Sequence, residues 1–218
     1  MRAAPLRQAL DFSERPDPRR GIFETVLIKD GSAALLDPQL ARLAASARRL
    51  YAREVDVSAA AAAARAAAAR VAAARAAGRA RLRLSFEPGR PGHGVAIDHG
   101  PVGPDPHYTA IAPFALPGGL GEHKWLDRRL PDALTAACGP AAVALIIDSD
   151  GAVLEAASMN VLIEERGRLI SPLADGRWRP GFGRQRLRYD EEPVDLDRLL
   201  AADAVVLTSA LRTMRLVG

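Results

Sequence analysis

The sequence predicts a two-domain α/β chain, and three observations carry that expectation. The first half combines short β-branched and aromatic runs with two long helical stretches, Pro38–Tyr51 and Val57–Gly78. The second half is mostly short apolar runs joined by tight turns. Between them, Ala115–Gly121 holds the run Pro117-Gly118-Gly119, which breaks regular structure and reads as a linker. The expected boundaries are a lead-in over 1–20, a small α/β domain over 21–114, the linker over 115–121 and a larger domain over 122–218.

Each element has a local reason. Met1–Arg20 is polar with three prolines and reads as an ill-fixed lead-in. Ile22–Ile28 is rich in β-branched and aromatic residues, Asp30-Gly31 turns the chain, and Ala33–Leu36 is expected to pair back as a hairpin. Asp37 is the expected helix cap and Pro38 the first helical position, with Leu40, Leu43, Ala47 and Leu50 on one face. Val57-Ser58 opens a second helix, mostly alanine, with Arg65, Arg70, Arg75 and Arg79 projecting. Alanine would let that helix approach a sheet closely. Strands are expected at Leu82–Phe86, at Gly94–Asp98 within the loop region Pro88–Pro106, and at Thr109–Phe114. In the second half, Val143–Asp148 with Val153–Ala156, and Val161–Glu164 with Arg168–Ser171, read as hairpins. Gly183–Tyr189 and Leu196–Ala201 read as helices, and Val205–Thr208 and Met214–Val217 as closing strands.

Composition narrows the function. A chain of 218 residues buries a core without disulfides or metals. It holds 44 alanines, and its cations are 28 arginines against two lysines, Lys29 and Lys124. Codon bias in a GC-rich gene explains both. The net charge of +4, spread over many charged side chains, argues against nucleic acid as a partner. The single cysteine, Cys138, allows neither an internal disulfide nor a multi-cysteine metal site, fits a reducing cytosol, and is expected to be a small core residue. The longest low-charge run, Ala59–Ala77, is interrupted by arginines, so no membrane span is expected. Met1–Arg20 lacks the apolar stretch of a secretory signal.

The chemistry concentrates at one lysine. There is no Walker-type loop, no GxSxG elbow and no HExxH pair among His93, His99, His107 and His123, so no metal is expected. Lys124 stands in Glu122-His123-Lys124-Trp125-Leu126-Asp127-Arg128-Arg129. Lysine forms imines when burial or cationic neighbours activate it, and Trp125, Arg128 and Arg129 are the expected neighbours. In a chain that uses arginine nearly everywhere, a retained lysine has a reason where arginine cannot form an imine. A lysine-bound cofactor also needs an acid for its ring nitrogen and a phosphate cradle. Glu155 and the loop Pro180-Gly181-Phe182-Gly183-Arg184, read as preceding a helix, supply candidates.

Together these segments resemble the class IV pyridoxal-phosphate enzymes of fold type IV, the two-domain fold of D-amino-acid aminotransferase. The resemblance runs from Gly21-Ile22-Phe23-Glu24-Thr25 through Leu36–Leu43, His123–Arg129, Leu154-Glu155 with Asn160, Ser171-Pro172 with Pro180–Arg184, to Asp203–Ala210. It implies pyridoxal 5'-phosphate as cofactor and a homodimer acting on a small-molecule amino substrate, with the cofactor held mainly by the larger domain. It implies that Lys124 holds the cofactor covalently and then acts as acid and base on the substrate carbon. Glu155 would face the ring nitrogen in the segment that Asn160 closes. Arg42, the amides of Phe182 and Gly183, and the Ser209-Ala210 turn would bind the phosphate.

Within the family, Thr208-Ser209-Ala210-Leu211 looks like the turn of aminodeoxychorismate lyases, where transaminases carry a threonine at the position of Ala210. Lys124-Trp125-Leu126-Asp127-Arg128 also looks like the lyase pattern. An amino-acid aminotransferase (branched-chain or D-amino acid) is the alternative reading, and a degenerate, non-enzymatic homologue with a basic binding surface is a third. The chain departs from the family in three ways. Gln39 stands where histidine is frequent, Arg19-Arg20 precede Gly21, and Phe182-Gly183 replaces an aliphatic-threonine pair. With Ala210, two phosphate hydroxyls are absent.

Overall fold

A computed structural model describes residues 2–74, 78–91 and 94–217. Arg75 and His93, both named above, lie outside the described residues. The chain forms two compact units at other boundaries than the sequence suggests. One contains residues 1–16, 105–123 and 128–218, and the other residues 17–104 and 124–127.

The N-terminal segment is not a loose lead-in. Strands β1 (Arg2–Ala3) and β2 (Arg7–Gln8) both pair in parallel with a later strand at 110–115. Arg15 donates to the carbonyls of Pro117 and Gly119. An edge of unpaired backbone groups outweighs the local polarity of these residues.

The second unit begins with β3 (Ile22–Lys29), followed by α1 (Leu36–Tyr51), α2 (Val57–Ala74), β4 (Arg79–Phe86) and β5 (Val95–Pro101). The strands form an antiparallel sheet in the order β3-β4-β5. Asp30 and Gly31 turn the chain with positive φ, but only Ser32 pairs back, onto Lys29. Ala33–Leu36 is therefore no strand: the Leu36 amide bonds Ala33 O, and the helix starts one residue before Asp37, without a side-chain cap. Ile22, Val26 and Ile28 of β3, Leu40, Leu43 and Ala47 of α1, and Ala60, Ala61, Ala64, Ala67 and Ala68 of α2 share one core. The alanines do what the sequence suggests, letting α2 lie close on the sheet. Gly21 closes this unit tightly. Its φ is +99°, and a Cβ there would stand 2.0 Å from Phe86 O, so a side chain is excluded.

The first unit continues with β6 (Ala110–Ala115), α3 (Arg129–Cys138), β7 (Ala142–Ile147), β8 (Val153–Ala156), β9 (Asn160–Glu165), β10 (Arg168–Pro172), β11 (Asp190–Glu192), α4 (Leu196–Ala201), β12 (Ala204–Thr208) and β13 (Thr213–Val217). Two five-stranded sheets result, one of β1, β2, β6, β7 and β8, the other in the order β11-β10-β9-β12-β13. Residues of both sheets, including Val143, Leu145, Val161, Ile163, Val205 and Leu207, build one core. The opposite face of the first sheet packs Phe114, Ile146 and Leu154 with Leu130 and Leu134 of α3 and with Trp178. Cys138, expected in the core, is only partly buried at the end of α3, where its thiol donates to Leu134 O. Among the described residues no helix is long and apolar enough to cross a membrane.

The segment read as a linker is built into the first unit. Leu116 is fully buried, and Gly118 donates its amide to Asp148. Burial alone would raise the Asp148 carboxyl, but hydrogen bonds from Arg177 and from the Gly118 and Ser149 amides hold it far below the ordinary carboxylate range. Arg177 also binds Asp150 at 2.8 Å and Asp175. A carboxyl depressed in the fold contributes stability above its unfolded pKa of about 4 and loses it as pH falls. The thermal midpoint should therefore drop progressively below about pH 4. Asp148→Asn should lower the neutral midpoint and flatten that acid slope; an unchanged slope would contradict the assignment.

Candidate active site

Lys124 is placed by β3. The segment 124–126 adds to the edge of that strand: Phe23 donates its amide to Lys124 O, Leu126 donates to Gly21 O, and Ile22 and Trp125 face each other across the bridge. Asp127, 2% exposed, pins the end of the segment by accepting the Asp17 amide at 2.9 Å. Alternation along an extended segment sends neighbouring side chains to opposite faces. Trp125 goes to the core shared with α1 and α2.

The neighbours of the Lys124 amine come from β3 and β4. Nζ lies 4.7 Å from the centroid of the Phe23 ring and donates to Thr25 Oγ1 at 3.4 Å. The Arg83 guanidinium stands 4.5 Å from the same ring. Arg83 is the register partner of Thr25. Arg83 and Lys124 thus share the Phe23 ring, Arg83 reaching it from β4 and Lys124 from the opposite edge of β3. Arg128 bonds Ala157 O and pairs with Asp132.

Arg42 is engaged elsewhere. Its Nε and Nη2 grip both oxygens of Glu24 at 2.8 and 2.9 Å, and Glu24 is 3% exposed. Glu24 alternates with Phe23 and Thr25, so this pair belongs to the opposite face of β3 from the Lys124 amine. The expected phosphate ligand thus has two donors committed to a buried carboxylate.

In the first unit the structure brings most of the predicted cradle together. Asn160, 4% exposed, accepts the Gly181 amide and donates to Arg179 O at 3.0 Å. Asn160 is also the register partner of Thr208. A Cβ on Gly181 would lie 2.5 Å from Asn160 Oδ1. One on Gly183 would lie 2.2 Å from Ser209 O and 2.4 Å from Thr208 Oγ1. The loop 180–183 is thus seated directly on Asn160 and the Thr208-Ser209 turn. Ser209 Oγ accepts the amides of Leu211 and Arg212 and closes that turn on itself.

The loop is locked from behind by Arg184, which is 5% exposed. It donates to Ser171 Oγ and Glu191, and stacks near Trp178 and Tyr189. The expected helix Gly183–Tyr189 does not form. One 3-10 turn, Arg184–Arg186, is followed by extended chain into β11, which pairs with β10. The donors available to an anion are therefore the loop's own amides. Gly183 is buried and Ala210 half-buried, and among the described residues neither amide is given an acceptor. A buried N–H without an acceptor is costly unless a ligand supplies one.

Glu155 lies half-buried on β8 opposite Ile146. The register slips at Leu154, since Ile146 faces Glu155 and Ile147 faces Val153. Such a bulge re-aims the side chain beside it. A tight turn between Ala156 and Met159 then joins Glu155 to Asn160. Sequence reasoning overlooked Phe23, Thr25 and Arg83 around the lysine, and Arg184 behind the loop. The first two stood inside a quoted motif, and Arg184 at the end of another.

The sequence profile of the class IV amino-transferase family matches residues 123–218. No curated protein sequence is similar enough to match. Among solved structures, a hypothetical aminotransferase from Mycobacterium tuberculosis aligns at 25% identity with a TM-score of 0.80, over 90% of this chain and 80% of that one. The same protein is known in a PLP-bound form. A fold IV-transaminase from Curtobacterium pusillum aligns at 22% identity and TM-score 0.76, over 90% and 78% of the two chains. A 4-amino-4-deoxychorismate lyase from Pseudomonas aeruginosa aligns at 23% identity and TM-score 0.67, over 94% and 86%. The class IV amino-transferase profile thus covers residues 123–218, and the described chain carries the fold of these solved structures.

Proposed function

We propose that the chain is a 4-amino-4-deoxychorismate lyase, converting that substrate to 4-aminobenzoate and pyruvate. The observation that carries the reading is the Ser209-Ala210-Leu211 turn. Ser209 folds its hydroxyl back onto the turn, and Ala210 presents a methyl group where transaminases carry threonine. The lyase-like run Lys124 to Arg128 and the likeness to the Pseudomonas lyase support it. The homodimer and the cytosolic setting implied by the sequence belong to the same proposal.

Each unit by itself offers groups of the kind pyridoxal phosphate needs. A half-buried primary amine lies against an aromatic ring. Among the described residues the buried Gly183 amide is given no acceptor, and the Glu155 carboxylate stands at a register shift of β8. Lys124 would hold the aldehyde. The amides of Phe182, Gly183 and Ala210 and the Ser209 turn would bind the phosphate, and Arg42 would add charge beyond its pair with Glu24. Asn160 would keep the loop in place. When bound, the cofactor supplies an electron sink. Glu155 would keep a proton on the ring nitrogen by its negative charge. Lys124 would take the substrate's ring proton at the carbon bearing the amine. Loss of that proton and of the enolpyruvyl group, with cleavage of its C–O bond to the ring, leaves the aromatic product. The released enolpyruvate gains a proton to become pyruvate.

A second reading, an amino-acid aminotransferase, is favoured by one observation. Arg83 shares the Phe23 ring with Lys124, a place suited to a carboxylate next to the reacting carbon. Incubating the loaded protein with 4-amino-4-deoxychorismate should release pyruvate. Glutamate formation from amino acids and 2-oxoglutarate, without pyruvate release, would move the assignment to the transaminases. Failure of both would leave the non-enzymatic homologue.

A further inference from the structure

We infer that Gln39 and Thr25 position the Lys124 amine, Gln39 by holding the Thr25 main chain and Thr25 by holding Nζ. The inference rests on the reading of Lys124 as the reactive amine. Gly21 and Phe23 meet the 124–126 segment along the outer edge of β3. Thr25 is two residues further along, so its carbonyl faces the same edge, beyond the point where the added segment stops. Gln39 takes over there: from α1 its Nε2 donates to Thr25 O at 2.8 Å. Gln39 is 1% exposed, and its Oε1 is buried with no hydrogen-bond partner. A group that tolerates an unsatisfied oxygen is held in place by what its other end does.

Thr25, 8% exposed, then presents its hydroxyl to Nζ on one side while the Phe23 ring lies on another. Both the ammonium and the neutral amine have an N–H to donate, so this contact persists in either protonation state. What it sets is the direction in which the nitrogen lone pair points. That is a positioning role, carried by the hydroxyl at this register position.

The chain's two lysines make the test direct. Lys29 is exposed and serves as internal standard. Reductive methylation with formaldehyde, followed by mass spectrometry, gives the ratio of Lys124 to Lys29 labelling without any cofactor. Thr25→Val and Gln39→Leu should each change that ratio about fivefold, the population held by one hydrogen bond of ordinary net strength. Thr25→Ser and Gln39→His, which retain a hydroxyl and a ring N–H donor, should stay near the parent. In parallel, borohydride trapping of pyridoxal phosphate on Lys124 should slow about tenfold in the first pair and not in the second. A thermal scan of each variant excludes unfolding. Unchanged ratios in both Thr25→Val and Gln39→Leu would overturn the inference. Absence of trapped cofactor in the parent would instead defeat the cofactor reading, while the methylation ratios still decide the positioning role.

Discussion

A Lys124→Arg variant is expected to lose the visible absorbance of bound cofactor and at least about 10³ in turnover. Its thermal midpoint should stay within about 2 °C of the parent. Arginine keeps a cation over the Phe23 ring, and the main-chain bonds of residue 124 to Phe23 do not depend on its side chain. The guanidinium cannot form an imine and does not give up a proton near neutral pH. The same replacement at Lys29, at the exposed end of β3, should change neither spectrum nor rate. Absorbance spectra and steady-state rates of the two variants check this. A Lys124→Arg protein with undiminished turnover would remove the lysine from the chemistry.

The second large effect is expected at Gly183. Its φ of −58° suits any residue, so a side chain there fails for lack of space alone. A Cβ would enter the contact with Ser209 O and Thr208 Oγ1. Both the loop and the β12 end are fixed, the loop by Arg184 and Asn160, the strand by its ladder to β9 and β13. Gly183→Val should therefore cost about 1–3 kcal/mol of stability by overpacking. Pushing the loop off the turn should also weaken pyridoxal-phosphate affinity more than about tenfold, because amide donors act only when preorganised. Denaturant unfolding and a cofactor titration measure the two effects separately. Lost stability with intact affinity would place the phosphate elsewhere.

The strands and helices were legible because periodicity and turn chemistry act locally. Ile22–Lys29, the alanine helix over Val57–Ala74 and the hairpin turn at Arg166-Gly167 follow from residues within one turn of one another. Several of the misreadings trace to partners outside the local sequence. The polar N-terminus is a pair of strands because β6 offers an open edge, and the Pro-Gly-Gly run is packed because Asp148 and Arg15 bind it. The helix after Gly183 fails because Arg184 is drawn to Ser171 and Glu191. At the candidate site, the motifs pointed to Lys124, Asn160 and the glycine loop, and the structure seats the loop on Asn160. The neighbours Phe23 and Thr25 of the lysine were invisible, since they reach it only through edge pairing, and strand register brings Arg83 to the same ring. The ion pair of Arg42 was invisible for the same reason, as its buried partner Glu24 lies 18 residues away in the chain.

The most direct test of the central claim is peptide mapping after borohydride reduction of the protein equilibrated with pyridoxal 5'-phosphate. The account predicts one stoichiometric pyridoxyl group, on the peptide that contains Lys124, with Lys29 unmodified. A protein that carries no such adduct, or carries it on Lys29, would contradict it.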